Sequence, residues 1–279
     1  MREIDAKTIT DAVRRMCIKA NCELPDDVRR CIAASREAED WLPAKESLGK
    51  LIKNYEIANS EGVPICQDTG VVCVFIEIGQ DVHITGDLTD AINEGVRQGY
   101  KNGYLRKSVV VDPLKRTNTG DNTPAMITYD IISGSALKIT VVPKGFGSEN
   151  VSRATMLRPY DGIDGIKAFV LKTIEEAGAS PCPPVVVGVG IGGTFDKVSL
   201  LAKKALLRPL DIINSDPFYA ELEDELLVSI NNLGIGPQGF GGKTTALKVN
   251  ILTMPTHIAG LPVAVNLNCH AARHMSETL

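Results

Sequence analysis

Three cysteines of this 279-residue chain lie in loops from which a thiolate could reach a functional site. Each occupies a short, turn-forming stretch beside a predicted strand: Cys66 in Pro64–Gly70, Cys182 in Ser180–Pro184 and Cys269 in Asn266–His270. Zinc fingers use closely spaced cysteine pairs, which this spacing does not provide. Three separated thiolates suit an iron–sulfur cluster with one iron left open as a Lewis acid. Chance could also place three cysteines in loops, so spacing alone leaves the question open.

The other four cysteines have a different context. Cys17, Cys22 and Cys31 lie on or beside amphipathic helices, and Cys73 lies in an apolar strand. Buried cysteine commonly behaves as a small hydrophobic residue. We therefore expect these four to pack in the core rather than bind metal.

A glycine-rich stretch, Gly188–Gly193, matches the dinucleotide-binding pattern G-x-G-x-x-G between a predicted strand and a predicted helix. Such a site would make the chain an NAD-dependent oxidoreductase. A Rossmann unit also needs a second parallel strand after the helix, and Arg208–Asn214 is too short for a convincing one. The alternative is a tight strand-to-helix turn whose N–H groups could hold an anion.

A second stretch, Pro237–Thr244, resembles a phosphate-binding P-loop but has proline where the first glycine should stand. It follows an acidic helix, Glu221–Asn231, whereas a P-loop follows a buried strand. An ATPase is therefore disfavoured. The glycines instead suggest that the backbone approaches another group closely.

The elements that position these motifs can be predicted from apolar periodicity. The first sixty residues have helical spacing, and Ser133–Ser135 predicts a hairpin turn between two strands. The later helices are predicted at Asp87–Tyr100, Asp164–Ala177, Asp196–Leu207 and Pro217–Asn231. The strands are predicted at Val71–Ile78, Ala125–Ile132, Ala136–Val142, Val185–Val189, Ala246–Met254 and Val263–Val265.

This pattern predicts a mixed α and β (α+β) fold, with a helical N-terminal region followed by a mixed sheet flanked by helices. We expect one catalytic domain over residues 1–279, with a helical part at 1–60 and a cluster- and substrate-binding part at 61–279. Hydrophobic residues make up 44% and charged residues 23% of the chain, as in ordinary globular enzymes.

The net charge of −4 gives no support to nucleic-acid binding through a broad basic face. No apolar run is long enough for a membrane span, and the N-terminus lacks the apolar region of a secretory signal. We therefore expect a cytoplasmic enzyme with no nucleic-acid or membrane partner.

Longer strings around the cysteines resemble motifs of the class I fumarase and L-tartrate dehydratase family. The resemblance runs from about residue 10 to the end of the chain. It is carried by Pro64–Gly70, Pro143–Asn150, Gly236–Gly239 with Thr244–Leu247, and Thr256–Ala271.

The resemblance implies a 4Fe–4S cluster on Cys66, Cys182 and Cys269, with the fourth iron open to substrate. It also implies a substrate pocket. Gln67 and Asp68 would lie beside the open iron, Arg106 would bind a substrate carboxylate, the Gly145 region would supply backbone N–H groups, and His257 would hydrogen-bond a substrate oxygen. His257 and Asp68 are the candidate catalytic residues.

The family also implies a partner. Single-chain members continue into a second domain that contributes the catalytic base, whereas this chain ends at Leu279, ten residues after Cys269. We therefore expect the α subunit of a heteromeric fumarate hydratase, completed by a β subunit in a heterotetramer. The close alternative is the α subunit of L-tartrate dehydratase, which forms oxaloacetate. A protein that stores or senses a cluster is an alternative of another class.

Overall fold

The amino-terminal part of the chain is helical, as its apolar periodicity predicts. The computed structural model describes residues 2–279. The first helices are α1 (Ala6–Cys22), α2 (Asp26–Ala38) and α3 (Leu42–Glu61). The Asp5 carboxylate accepts a hydrogen bond from the Lys7 backbone N–H and caps α1. The predicted helical region is confirmed, except that Arg2–Asp5 form a strand, β1.

The chain forms two compact units, and the first is built around a four-stranded sheet. This unit comprises Met1–Leu24, Asn54–Phe146 and Arg273–Leu279. In spatial order its strands are β10 (Met275–Thr278), β5 (Leu137–Lys144), β2 (Val71–Gly79) and β4 (Met126–Ile132). β2 runs parallel to β4 and antiparallel to β5, which is antiparallel to β10. β1 pairs separately, in parallel, with β3 (Val82–Thr85).

Two helices of this unit approach each other unusually closely. They are α1 and α4 (Leu88–Asn102), whose predicted position is confirmed. A Cβ atom on Gly95 would lie 2.8 Å from the Thr10 carbonyl oxygen, and one on Gly99 would lie 2.8 Å from the Cys17 Cβ atom. Larger residues at these positions would push the helices apart, because cores are close-packed.

The hairpin predicted at Ser133–Ser135 is wrong, because β2 lies between the two strands that this turn connects. The connection instead crosses the end of β2, where the Gly79 N–H donates to the Ala136 carbonyl at 2.8 Å and the Gln80 N–H donates to the Ile132 carbonyl at 2.9 Å. β2 is mostly buried along its length. A strand with two apolar faces is stabilised most at a central position of the sheet.

The second unit comprises Pro25–Lys53 and Gly147–Ala272 and contains another four-stranded sheet. In spatial order its strands are β6 (Arg153–Leu157), β9 (Leu261–Asn268), β7 (Val185–Gly192) and β8 (Ala246–Met254). β7 runs parallel to β8 and antiparallel to β9, so the sheet is mixed. Its longer helices after α3 are α6 (Gly162–Ala177), α7 (Phe195–Ala205) and α8 (Pro217–Asn231); a short α5 covers Phe146–Glu149. The predicted α+β class is confirmed.

Glycines of the nucleotide-like stretch lie inside β7 rather than in a loop. A Cβ atom on Gly188 would come 2.2 Å from the Ala202 carbonyl oxygen, and one on Gly190 would come 2.3 Å from the Val198 carbonyl oxygen. Both carbonyls belong to α7. The glycines therefore let this helix pack directly on the strand, which favours the structural interpretation over a nicotinamide site.

The P-loop-like stretch also has a structural explanation. The backbone N–H of Lys243 donates to the Glu39 carboxylate at 2.7 Å, and its ammonium donates to the Ala38 carbonyl at 2.9 Å and pairs with Asp40. Lys243 thus fastens this loop to the end of α2. Its ammonium is engaged there, whereas a P-loop lysine binds phosphate.

Each unit has its own buried core of aliphatic side chains. The predicted helical part is divided between them, because α1 belongs to the first unit and α2 to the second. The assignment of residues 1–279 to one catalytic domain stays a prediction. Across residues 2–279, every helix is either too short or too polar to cross a membrane.

Candidate active site

The Cys66 loop connects α3 to β2 in the first unit, and its backbone is anchored on both sides of Ile65. The Ile65 N–H donates to the Asn21 carbonyl of α1 at 2.9 Å. The Asn54 side chain of α3 donates to the Ile65 carbonyl at 2.8 Å. Cys66 itself is half-buried. Two helices therefore fix the residue that precedes the thiol.

A backbone N–H group is aimed at the Cys66 sulfur. The Asp68 N–H donates to Cys66 Sγ over 3.4 Å, within the range for a hydrogen bond to sulfur. Hydrogen bonds to cysteine sulfur are among the contacts by which proteins tune iron–sulfur centres. The loop thus presents this thiol in a geometry suited to a metal ligand.

The Asp68 carboxylate holds the same loop in place. One oxygen accepts a hydrogen bond from the Gly70 N–H at 2.9 Å, and the other accepts one from the Phe146 N–H at 2.9 Å. A Cβ atom on Gly145 would lie 3.2 Å from that second oxygen. Asp68 therefore links the cysteine loop to the end of β5. This supports an anchoring role, and its catalytic role stays a prediction.

Arg106 lies next to this loop in the first unit. Its backbone carbonyl accepts a hydrogen bond from Thr69 Oγ1 at 2.9 Å, while its side chain is exposed. Among residues 2–279, no hydrogen bond or ion pair engages its guanidinium. The exposed Gln67 is the other predicted substrate-binding residue of this loop. The structure brings Gln67, Asp68, Arg106 and Gly145 to one region of the first unit.

Two buried cations in this region were missed by the sequence analysis. Arg273 is 3% exposed, and its Nη2 atom donates to the Asp68 carbonyl. Lys144, the last residue of β5, is 1% exposed, with Nζ 3.5 Å from the Gly145 carbonyl. Lysine and arginine are rarely buried this deeply without a charged or polar partner. The sequence gives little signal for either burial.

The Cys182 loop precedes β7 in the second unit and is held by Gln238. Cys182 is exposed and adopts a left-handed backbone conformation, with φ of 54°. Its N–H donates to the Ala179 carbonyl at 3.0 Å. The backbone N–H and the side-chain amide of Gln238 both donate to the Pro183 carbonyl, at 2.8 and 2.6 Å. The loop is therefore a fixed turn with its cysteine at the surface of this unit.

Cys269 lies at the same end of this sheet as Cys182. The His270 N–H donates to the Cys182 carbonyl at 3.3 Å, and Asn268 pairs with Val186 in the β7–β9 register. The loop after β9 and the loop before β7 thus contact each other. The structure brings together two of the three predicted cluster ligands within one unit.

His257 lies at the opposite end of the same sheet. It belongs to the turn between β8 and β9, where the Thr256 hydroxyl donates to the Gly193 carbonyl at 2.8 Å. From Val186 to Gly192, at about 3.3 Å per residue, β7 spans about 20 Å. His257 is therefore separated from Cys182 and Cys269 of its own chain by about the length of the strand.

The protonation pattern of His257 follows from its local turn. The Ala259 N–H donates to its Nδ1 atom at 3.2 Å. A ring nitrogen that accepts a hydrogen bond carries no proton, so the neutral imidazole is protonated on Nε2. The exposed side chain can therefore offer an N–H donor to a ligand.

The remaining cysteines differ from these three. Cys17, Cys22 and Cys73 are buried, as predicted, whereas Cys31 is only partly so. Burial raises the pKa of the Cys17, Cys22 and Cys31 thiols above the usual value, which favours the neutral thiol. A neutral thiol is a poor metal ligand, because the thiolate is the form that binds metal.

The predicted ligand set is divided between the units, with Cys66 in the first and the other two cysteines in the second. Accordingly, within neither unit do the described residues gather three or more Cys, His, Asp or Glu side chains that could hold a metal ion. The assignment of all three cysteines to one cluster stays a prediction.

Comparison with known proteins places the chain among the hydro-lyases, which add or remove water across a carbon–carbon double bond. A model of the fumarate hydratase (Fumerase) family matches residues 10–278. Because this match spans nearly all of the sequence, the chain belongs to that family. The resemblance to class I fumarases and L-tartrate dehydratases is thereby confirmed.

Individual relatives align over almost the same length. A candidate L(+)-tartrate dehydratase subunit alpha of Methanocaldococcus jannaschii is 44% identical over 272 residues, with 95% of each chain covered. The L(+)-tartrate dehydratase subunits alpha of Escherichia coli strains UTI89 and K12 are 32% identical over 269 residues, with 95% of this chain and 88% of theirs covered.

Proposed function

We propose that this chain is the cluster-bearing α subunit of a heteromeric hydro-lyase that interconverts fumarate and (S)-malate. The observation that carries the proposal is the match of the fumarate hydratase family to residues 10–278. The anchored Cys66 loop and the contact between the Cys182 and Cys269 loops support it, because a cluster ligand must be held rigidly.

In this proposal Cys66, Cys182 and Cys269 hold a 4Fe–4S cluster. The donor set is suitable, because thiolate is the usual ligand of iron–sulfur clusters and all three thiols lie in loops with defined backbone contacts. With three protein ligands, the cluster would supply an open iron that acts as a Lewis acid on the substrate oxygen.

The other predicted residues bind and orient the substrate. The planar guanidinium of Arg106 matches a carboxylate and has no competing partner among residues 2–279. Gln67 and backbone N–H groups near Gly145 add neutral contacts, and Asp68 fixes the loop that carries them. In the dehydration direction a base must take a C–H proton, and we expect the β subunit to supply it.

His257 contributes its Nε2–H to a substrate oxygen, but not at the cluster of its own chain. A four-carbon dicarboxylate is far shorter than the separation of about 20 Å between His257 and the loops of Cys182 and Cys269. His257 would therefore complete the site of a second α subunit in a heterotetramer. In a two-fold symmetric heterotetramer, each α subunit would then lend its His257 to the other.

L-tartrate is the second candidate substrate, and it is favoured by the names of the relatives in Methanocaldococcus jannaschii and Escherichia coli. Tartrate and malate are both four-carbon hydroxydicarboxylates that differ by one hydroxyl group. The same open iron and carboxylate-binding arginine therefore suit both. The name "subunit alpha" on these relatives also supports a separate β partner.

A hydration and dehydration assay tests the function and the partner together. The chain, reconstituted anaerobically with iron and sulfide, is assayed with and without its β subunit on fumarate, (S)-malate and both tartrate enantiomers. We expect turnover of one dicarboxylate class only when both subunits are present, because the catalytic base lies on the partner. The two subunits are matched in amount and the metal-free complex serves as the blank.

Three outcomes of this assay are informative. Full turnover by the isolated chain would disprove the need for a β subunit. Preference for L-tartrate would select the second candidate substrate. Failure of the complex to act on any of these dicarboxylates, with its cluster present, would disprove the proposed hydro-lyase activity.

The Arg106→Lys substitution tests the carboxylate-binding role. Lysine keeps the charge but loses the bidentate fork. Loss of one charge-assisted hydrogen bond costs roughly 1.5–3 kcal/mol, or about 10- to 150-fold in kcat/KM. Steady-state kinetics of the complete complex measure the effect, and the cluster absorbance should be unchanged.

Arg97→Lys is the matched control, because Arg97 is an arginine of the same unit that is paired with Asp121 and Glu94 at the surface. It should leave kcat/KM within about two-fold, as exposed ion pairs contribute little. An equal loss in both variants would show that Arg106 has no specific role in binding.

A further inference from the structure

Arg273 combines features that a purely structural arginine rarely has. It is 3% exposed, so its charge is almost fully removed from water. Its Nη2 atom donates to the Asp68 carbonyl, but Nε and Nη1 have no hydrogen-bond partner among residues 2–279. No carboxylate of the described residues lies within ion-pair distance. A buried cation with unsatisfied donors calls for an anionic partner.

The surroundings of Arg273 point to the Cys66 loop as the place of that partner. The Asp68 carbonyl belongs to the same residue whose N–H donates to Cys66 Sγ. Tyr100, whose hydroxyl donates to the Thr69 carbonyl, holds the next residue of the same loop. The guanidinium thus contacts the Cys66 loop at Asp68.

A second arginine, which is only partly buried, provides the contrast. Arg208, in the second unit, donates to the Glu223 carboxylate, the Asn250 amide oxygen and the Ile251 carbonyl, and only its Nε lacks a partner among residues 2–279. Glu223 is 2% exposed, so the pair neutralises itself within the fold. Arg208 therefore has an ordinary structural role, whereas Arg273 forms no ion pair with a carboxylate of residues 2–279.

We infer that Arg273 is a positioning residue for Cys66: it fixes the Asp68 backbone that hydrogen-bonds the sulfur, and it offsets the negative charge of the thiolate-bound cluster. This inference rests on the proposed function, because the anion is the group that Cys66 ligates. A cluster bound by three thiolates is net negative, and buried cations favour such a group by direct electrostatic attraction.

Arg273→Met separates this role from a structural one. Methionine has similar length and no charge, and replacing an uncompensated buried charge by an apolar side chain is often neutral or stabilising. We expect the thermal midpoint of the metal-free chain to stay within about 2 °C of wild type or to rise. In the reconstituted complex, anaerobic loss of iron to a chelator should be at least about 10-fold faster, because the compensating charge is gone.

Two further variants calibrate the result. Arg208→Met leaves the Glu223 carboxylate buried and unpaired, so the thermal midpoint should fall by about 5 °C or more with little change in iron loss at low temperature. Arg273→Lys keeps the charge without the guanidinium geometry, and its rate of iron loss should fall between those of wild type and Arg273→Met.

Hydrogen exchange of residues 66–70 in the metal-free chain gives a readout that needs no cluster. Exchange in this segment should accelerate in Arg273→Met and stay unchanged in Arg208→Met. The inference is overturned if Arg273→Met has wild-type iron loss, if its thermal midpoint falls as in Arg208→Met, or if exchange at 66–70 is unaltered. A wild-type chain that takes up no cluster would refute the proposed function, while the exchange comparison would still decide whether Arg273 positions the loop.

Discussion

Cys66→Ser is expected to abolish the charge-transfer absorbance of the anaerobically reconstituted protein. A serine hydroxyl is far less acidic than a thiol and is a harder ligand, so it replaces thiolate poorly on iron. With only three protein ligands, the cluster has no spare contact to hold it. Cys182→Ser and Cys269→Ser should have the same effect, measured as absorbance and as iron bound per chain.

Cys31→Ser is the matched control, because Cys31 is also half-buried but its pKa is raised by burial and by neighbouring Asp27. It should retain the full spectrum. The folded state of every variant is checked by circular dichroism before reconstitution. A Cys66→Ser chain that keeps four irons would show that the ligand assignment is wrong.

Local elements of this fold could be predicted from the sequence because their signals are local. The bounds of α8 match the prediction, since Asp216 caps the helix and Pro217 occupies its first turn. The bounds of β8 also match. The partners of β4 and β5 could not be predicted in this way, because both strands pair with β2, which lies more than 40 residues earlier in the chain.

The candidate site shows the same limit. The three cysteines could be found because proline, glycine and polar neighbours mark their loops. Arg273 could not, since an isolated arginine in a sequence is most often exposed, and its burial depends on contacts with Asp68 about 200 positions away. The separation of His257 from Cys269 could not be predicted either. The two residues are near in sequence, but β9 lies between them and carries the chain to the other end of the sheet.

The separation of His257 from Cys269 predicts that two inactive variants of this chain complement each other. Each α subunit carries its His257 about 20 Å from the loops of its own Cys182 and Cys269. If His257 binds substrate, a His257→Asn chain lacks the donor that it lends to its neighbour, and a Cys269→Ser chain lacks a cluster. Each variant alone should have greatly reduced turnover in complex with the β subunit.

Mixed assemblies of the two variants should recover activity. With equal amounts and random pairing, half of the α dimers contain one chain of each kind, and one of the two sites in such a dimer has both an intact cluster and an intact His257. The expected recovery is therefore about one quarter of wild-type turnover. Co-expression of the two chains with different affinity tags and assay of the unfractionated preparation on the preferred dicarboxylate would measure it. Purification through both tags isolates the mixed dimers, for which about one half of wild-type turnover is expected.

A mixture of Cys66→Ser with Cys269→Ser controls for the source of the cluster ligands. It should recover nothing, because each chain lacks one of the three cysteines that we assign to a single cluster. Recovery in this control would mean that ligands are shared between chains. No recovery in the His257→Asn and Cys269→Ser mixture, with mixed assemblies verified through the tags, would mean that His257 serves no neighbouring site. At a distance of about 20 Å, its role would then be confined to the turn between β8 and β9.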